Sequence, residues 1–318
     1  MRRLRRSGHI RSLVRETDIG VSDLIAPIFV REGLDSPLPV VSMPGVTVQS
    51  LRSLEDEAKA CLDSGLRTVI LFGIPADKDA LGSAAYAENN IAVAAVRLLK
   101  DKFQDDLVVM ADLCLDEYSD HGHCGVLGED GTVQNDETLL LYSKTALLYA
   151  KAGVDFVAPS GMMDGQVGAI RSSLESAGYH DTAILAYSAK YATALYGPFR
   201  DAVDVTIADG GDRKTYQQDI GNVNESLREI ALDIEEGADM VMVKPAVTNL
   251  DVIAKAKAKF GFPLAAYQVS GEYSMIAAAA AAGVFDGTSV AYETLMSIKR
   301  AGADAIITYF AKEIAKHL

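Results

Sequence analysis

Lys190 and Lys244 each close a short apolar run, Ala183-Ile-Leu-Ala-Tyr-Ser-Ala-Lys190 and Met240-Val-Met-Val-Lys244-Pro245. Runs of this kind read as strands covered on both faces. Lysine is among the residues least often buried. An ammonium taken out of water without a partner tends to shift its pKa and turn neutral. A neutral amine attacks a ketone and forms a Schiff base. One such lysine is the equipment of an aldolase-like enzyme; two point to chemistry on two carbonyl substrates at once. The plain alternative is that each lysine snorkels to the rim from a strand end.

Two further segments carry chemistry. After Lys190 come Tyr196-Gly-Pro-Phe-Arg200 and Gly210-Gly-Asp-Arg-Lys-Thr-Tyr-Gln217, a connection long enough to serve as a lid. Its Arg200, Arg213, Lys214 and Gln217 could recognise a carboxylate through paired hydrogen bonds, or simply be solvated charge. Asp112-Leu-Cys-Leu-Asp-Glu-Tyr-Ser-Asp-His-Gly-His-Cys124 gathers cysteines, histidines and aspartates after another strand. Zinc takes such ligands. The paired Cys-x-x-Cys spacing is absent, so a capped loop with incidental thiols is the competing reading.

The elements that must position these residues repeat along the chain. A helix ends at Gly, and an apolar strand follows, at Gly65, Gly153, Gly178, Gly237 and Gly302. The runs Leu24 to Val30, Leu107 to Ala111 and Phe262 to Tyr267 bring the strands to eight. Amphipathic helices are expected at Glu55 to Leu62, Asn90 to Asp101, Glu137 to Lys151, Glu225 to Glu235 and Leu250 to Lys259. Eight alternating units favour a (β/α)8 barrel over a doubly wound sheet. No Gly-x-Gly-x-x-Gly follows the first strand, which speaks against a dinucleotide fold. Catalytic groups of such barrels sit at the C-terminal strand ends. There the chain places Asp112, Ser160, Lys190, Lys244, Ser270 and Tyr309.

The 318 residues are read as a single barrel domain, with residues 1–22 an N-terminal arm used in oligomer contacts. Six arginines fall in the first fifteen residues, a transit-peptide composition or, as preferred here, a basic arm reaching an acidic neighbour. A net charge of −14 argues against nucleic acid as partner. No apolar stretch is long enough to cross a membrane, and three cysteines fit a reducing cytoplasm.

The chain resembles the porphobilinogen synthase (5-aminolevulinate dehydratase) family. The resemblance rests on Asp23-Leu-Ile-Ala-Pro-Ile-Phe29, Phe72-Gly-Ile-Pro75, the loop from Asp112 to Gly125 and Ala158-Pro-Ser-Gly-Met-Met-Asp-Gly165. It continues through Tyr187-Ser-Ala-Lys-Tyr-Ala192, Tyr196-Gly-Pro-Phe-Arg200, Gly211-Asp-Arg-Lys-Thr-Tyr-Gln217, Met242-Val-Lys-Pro245 and Tyr267-Gln-Val-Ser-Gly-Glu-Tyr273. The resemblance implies a barrel whose arm wraps a neighbour, assembly into a homo-octamer, and condensation of two 5-aminolevulinate molecules to a pyrrole. It implies Schiff bases on Lys244 for the P-side substrate and on Lys190 for the A-side one, with Asp112 steering protons. Ser270 and Tyr309 would hold the P-side carboxylate. Arg200, Arg213 and Gln217 would hold the A-side one, with Phe199 closing the lid.

The metal loop departs from the family pattern. Zinc-dependent members carry three cysteines at the positions of Cys114, Asp116 and Cys124; zinc-independent members carry Ala, Asp and Asp. This chain is mixed, and two thiolates with one carboxylate should bind zinc less tightly than three thiolates. A weakened or optional zinc site is expected. Glu229 matches a glutamate that organises an allosteric Mg²⁺ in many members. The competing functions are another Schiff-base aldolase-type barrel and a catalytically inactive paralogue.

Overall fold

Each expected apolar run forms a strand in the computed structural model, which describes residues 2–207 and 211–318. Gly210, the first residue of the second lid segment above, and Met1 of the arm lie outside the described residues. The barrel strands are β1 (Leu24–Arg31), β4 (Thr68–Ile74), β5 (Val108–Leu113), β6 (Phe156–Pro159), β7 (Ala183–Lys190), β8 (Met240–Lys244), β9 (Leu264–Gln268) and β10 (Ala305–Thr308). Neighbours in that order pair in parallel, and Leu24 opposite Ile306 closes the ring. The eight-strand barrel is thus complete. The strands are almost wholly buried, because side chains fill the inside and helices cover the outside.

The helices follow the sequence in the same way. They are α1 (Gly8–Leu13), α2 (Leu51–Asp63), α3 (Ile91–Phe103), α4 (Asn135–Lys151), α5 (Gln166–Ser176), α6 (Gly197–Ala202), α7 (Asn224–Glu235), α8 (Leu250–Phe260), α9 (Ser270–Ala281), α10 (Gly287–Ala301) and α11 (Ala311–Ala315). In α2, Leu54, Ala58 and Cys61 recur on one face and are fully buried. Ser50 starts that helix by accepting from the Ser53 amide at 3.2 Å. Gly65, at φ 89°, turns the chain straight into β4, a conformation that costs a side chain with a Cβ more than it costs glycine. Truncating Leu54 to Ala would cost about 2–5 kcal/mol.

Three copies of the repeat share a further working residue, an aspartate two positions after the glycine. In Gly153-Val-Asp155, Gly237-Ala-Asp239 and Gly302-Ala-Asp304 the aspartate accepts from an amide in the first two residues of the preceding barrel strand. Val109, Ile184 and Leu264 donate at 2.7, 2.8 and 2.8 Å. Lys100, Arg171 and Lys257 pair with the same carboxylates. These clasps lie at the N-terminal end of the barrel, away from the lysines.

The first connection adds two short strands to the barrel that the sequence pattern does not announce. β2 (Leu38–Pro39) and β3 (Thr47–Gln49) pair with each other, and β3 extends the sheet beside the C-terminal end of β1. Strands this short carry no readable alternation. Ser42 between them donates to Asp201 of α6 at 2.5 Å, tying this addition to the lid. Ahead of the barrel, residues 2–22 include α1, capped by Ser7 and burying none of its residues. Leu4 and Leu13 there are 56% and 85% exposed. Among the described residues no helix is long and apolar enough to cross a membrane.

Candidate active site

Lys190 and Lys244 stand side by side because β7 carries an extra residue. The register runs Leu185 to Met240 and Ala186 to Val241, then resumes as Ala189 to Val243 and Lys190 to Lys244. Without this bulge Lys190 would oppose Pro245, and the two lysines would point to opposite faces. The bulge also turns Tyr187 inward. Its ring centre lies 5.7 Å from the Lys190 Nζ and 5.0 Å from the Lys244 Nζ.

The two amines have different surroundings. Around the Lys244 Nζ are the rings of Tyr267, Tyr196 and Phe199 at 4.5, 5.1 and 5.4 Å, besides Tyr187. Burial and the neighbouring Lys190 charge bring the Lys244 pKa down to about 7. The Lys190 Nζ donates to the Ser160 carbonyl at 2.6 Å. Burial pushes its pKa down as well, but Cys124, Cys114 and Asp116 outweigh that and raise it. One amine is therefore poised as a nucleophile and the other as a cation. Asp112, from the end of β5, accepts from the Ser160 hydroxyl at 3.0 Å, while its other oxygen is buried without a partner among the described residues. Burial raises its pKa to about 6 against the pull of both lysines.

Lys190, Lys244, Asp112, Ser160, Phe199, Arg200 and Arg213 border one internal space of about 10 Å³. That is roughly room for one water. The Phe199 ring on its wall packs on Phe72 and Phe29 at 5.3 and 5.6 Å. Its amide donates to the Ser270 hydroxyl at 3.0 Å. The Tyr309 hydroxyl meets that of Tyr267 at 2.9 Å. Both expected P-side clamp residues thus lie beside the aromatic wall of Lys244, with their hydroxyls engaged.

Arg200, Arg213 and Gln217 come together around an adjoining cavity of about 250 Å³. Among the described residues the Arg200 Nε, Arg213 Nε and Gln217 Nε2 atoms are buried with no acceptor. Unspent donors of this kind suit an anionic ligand. Arg213 also donates to the Gly122 carbonyl at 2.7 Å and pairs with Asp116 at 2.8 Å, so the lid is clasped to the β5 loop. Gly122, at φ 70°, has the Thr206 carbonyl 2.5 Å from where a Cβ would stand.

The sulfurs of Cys114 and Cys124 and an oxygen of Asp116 lie within 4.8 Å of one another, all buried. The donor set fits a metal ion. Burial opposes deprotonation of Cys124, yet Cys114 and Arg213 bring its pKa down to about 7, while burial raises that of Cys114. Burial likewise works against the Asp116 charge, but Arg213 overcomes it and holds the carboxylate ionised.

Glu229 of α7 lies apart from these groups, on a cavity of about 360 Å³ shared with Asp164, Glu225 and Gln217. Burial, Asp164 and Glu225 raise its pKa. Carboxylates around a roomy cavity fit a hydrated Mg²⁺.

Glu117 and Tyr187 were not singled out by sequence. Glu117 is buried beside Asp116, and burial raises its pKa well above the carboxylate range. Tyr187 was hidden because strict alternation puts it on the face opposite Lys190.

A barrel with two buried lysines abreast and unspent cationic donors beside them is equipped for Schiff-base chemistry on carboxylate-bearing ketones. The model of the family described as "Delta-aminolevulinic acid dehydratase" matches residues 1–317. The dehydratase of Streptomyces coelicolor is 52% identical over 319 residues, covering 100% of this chain and 96% of that one. That of Methanothermus sociabilis is 53% identical over 318 residues, covering 100% and 98%. The crystal structure of the Toxoplasma gondii enzyme with its product porphobilinogen superposes with a TM-score of 0.97 at 44% identity, covering 100% of this chain and 90% of that one. The chain belongs to the delta-aminolevulinic acid dehydratase family.

Proposed function

We propose that this chain condenses two 5-aminolevulinate molecules into porphobilinogen with loss of two waters, using Lys244 and Lys190 as separate Schiff-base lysines. The observation that carries this reading is the register of Lys190 opposite Lys244. A single-lysine aldolase leaves that pairing without a purpose, and an inactive paralogue has no need to retain it.

The Lys244 amine, its pKa brought down to about 7 so that a substantial share is neutral near neutral pH, attacks the P-side ketone carbon. The ketone oxygen leaves as water, and an imine forms. Lys190 gives up its proton and does the same with the A-side molecule. The A-side carbon next to its imine then attacks the P-side imine carbon. That attack leaves Lys244 as an amine on the P-side carbon, and loss of the second proton of the attacking A-side carbon expels it with formation of a C=C bond. The P-side amino nitrogen then attacks the A-side imine carbon; loss of one proton from that nitrogen and one from the P-side carbon beside it expels Lys190 and leaves the aromatic pyrrole. Asp112, with one oxygen unpartnered among the described residues, takes the proton from the attacking carbon. Ser270 and Tyr309 hold the P-side carboxylate; Arg200, Arg213 and Gln217 hold the A-side one once Phe199 has swung aside to admit substrate. Fixing both molecules in register replaces a bimolecular encounter with a near-unimolecular step.

Cys114, Cys124 and Asp116 would hold a zinc ion, which when bound supplies a Lewis acid at the A-side. The Arg213 partnership of Asp116 supports a weakened site. Glu229 would hold an activating Mg²⁺. The exposed leucines of the arm support docking on a second copy, in a single-domain homo-octamer working in the cytoplasm.

The test is product formation by chelator-stripped protein resupplied with Mg²⁺ alone, then with Zn²⁺. Turnover with Mg²⁺ alone supports an optional zinc. Turnover only after Zn²⁺, or chelator-resistant stoichiometric zinc, overturns the weakened site. No product under either condition overturns the reaction.

A further inference from the structure

Glu272, in the first turn of α9, is a buried carboxylate that the reaction described above does not use. Among the described residues no cation pairs with it; its partners are peptide amides. One oxygen accepts from Val247 at 2.8 Å and Thr248 at 3.3 Å. The other accepts from Val269 at 2.9 Å. Val247 and Thr248 follow Lys244 on the β8 loop, and Val269 precedes Ser270 on the β9 loop. A single carboxylate thus bridges the two loops that carry the P-side amine and the P-side hydroxyl. Ser270 in turn holds the Phe199 amide, and the Ala246 amide is held by the Tyr267 carbonyl at 2.9 Å. Gly271 packs so closely on the lid that a Cβ there would meet the Leu195 carbonyl at 2.5 Å. Its two neighbours therefore cannot drift independently.

Only a carboxylate accepts on both branches. An amide of the same shape would present its NH₂ to one set of peptide N–H groups. Removing one acceptor leaves buried donors unpaired and frees one loop from the other.

We propose that Glu272 is a positioning residue that fixes the distance between Lys244 and Ser270, and so sets the preference of Lys244 for ketones carrying a carboxylate. The inference rests on the P-side roles proposed above for those two residues.

Borohydride trapping separates this role from a merely structural one. Levulinate and 2-pentanone present the same ketone with and without the carboxylate. Adducts at Lys244 are quantified by peptide mass analysis for the wild-type protein, Glu272→Gln and Glu272→Asp. Aspartate keeps the charge but is too short to reach both loops, and it carries the test if the glutamine variant does not fold. The wild-type protein should trap levulinate far faster than 2-pentanone. The variants should lower that ratio by about tenfold or more while trapping 2-pentanone nearly as before. A ratio kept at the wild-type value, whether or not both rates fall together, overturns the positioning role. A wild-type protein that traps 2-pentanone as well as levulinate overturns the P-side reading itself, and this inference with it.

Discussion

The Arg213 guanidinium lies 2.8 Å from the Asp116 carboxylate, with both side chains buried. This pair joins the lid to the loop that holds Cys114 and Cys124. It also gives a residue expected to clamp a substrate carboxylate an internal carboxylate to hold. A substrate bound at Arg213 and a metal held at Asp116, as proposed, would therefore draw on the same two side chains. Asp116→Ala should destabilise the fold by about 3–5 kcal/mol, because it leaves a buried guanidinium unpaired. Urea unfolding reads this directly, and an unchanged midpoint would contradict it.

Asp116→Cys makes a different prediction. It completes a three-thiolate set, so zinc should bind more tightly than in the wild-type protein. Competition with a chromophoric chelator measures the change. Weaker binding in the variant would mean that Asp116 is already a good ligand.

The pH response of Lys244 follows from its surroundings. Burial and Lys190 lower its pKa to about 7, so the nucleophilic form grows tenfold per unit below that point and levels off above it. Trapping of levulinate at Lys244 should follow this curve. Lys190→Met removes the neighbouring charge and should move the inflection upward. The stability consequence has a definite sign. Between about 7 and the ordinary 10.5 the unfolded chain binds a proton at this group that the folded chain does not. This group's contribution to stability therefore rises with pH across that window.

Asp112→Asn keeps an acceptor for the Ser160 hydroxyl but loses the base. Turnover should fall by about 10²–10⁴-fold with little change in folding. Steady-state product formation checks this beside a melting curve. Near-normal turnover would remove Asp112 from the proton transfers.

The clasps at the other end of the barrel should affect stability alone. Asp239→Ala releases the Ile184 amide and Arg171, at a cost of about 1–2 kcal/mol. KM for 5-aminolevulinate should not change. A large KM effect would mean that the clasp acts on the mouth of the site.

Most of the barrel is legible in sequence because its strands are short, apolar and announced by a glycine. The five glycines that begin the repeats have φ between 83° at Gly178 and 122° at Gly302. The lysines are legible because an ionisable residue flush with an apolar run stands out. Their register is not, since nothing in Ala186-Tyr-Ser-Ala189 marks an extra residue, and that residue decides which faces Tyr187 and Lys190 share. The tie through Glu272 is hidden for a related reason. Its acceptors' partners are backbone amides on a distant loop, which carry no residue-type signature. The β2–β3 pair is too short for any pattern to show.

The central claim is that two different lysines hold the two substrates. Borohydride reduction in the presence of 5-aminolevulinate, followed by peptide mass analysis, tests it most directly. The expected result is adducts on both Lys190 and Lys244, with the Lys244 adduct persisting in Lys190→Met. An adduct confined to one lysine in the wild-type protein, however long the reaction, would contradict it.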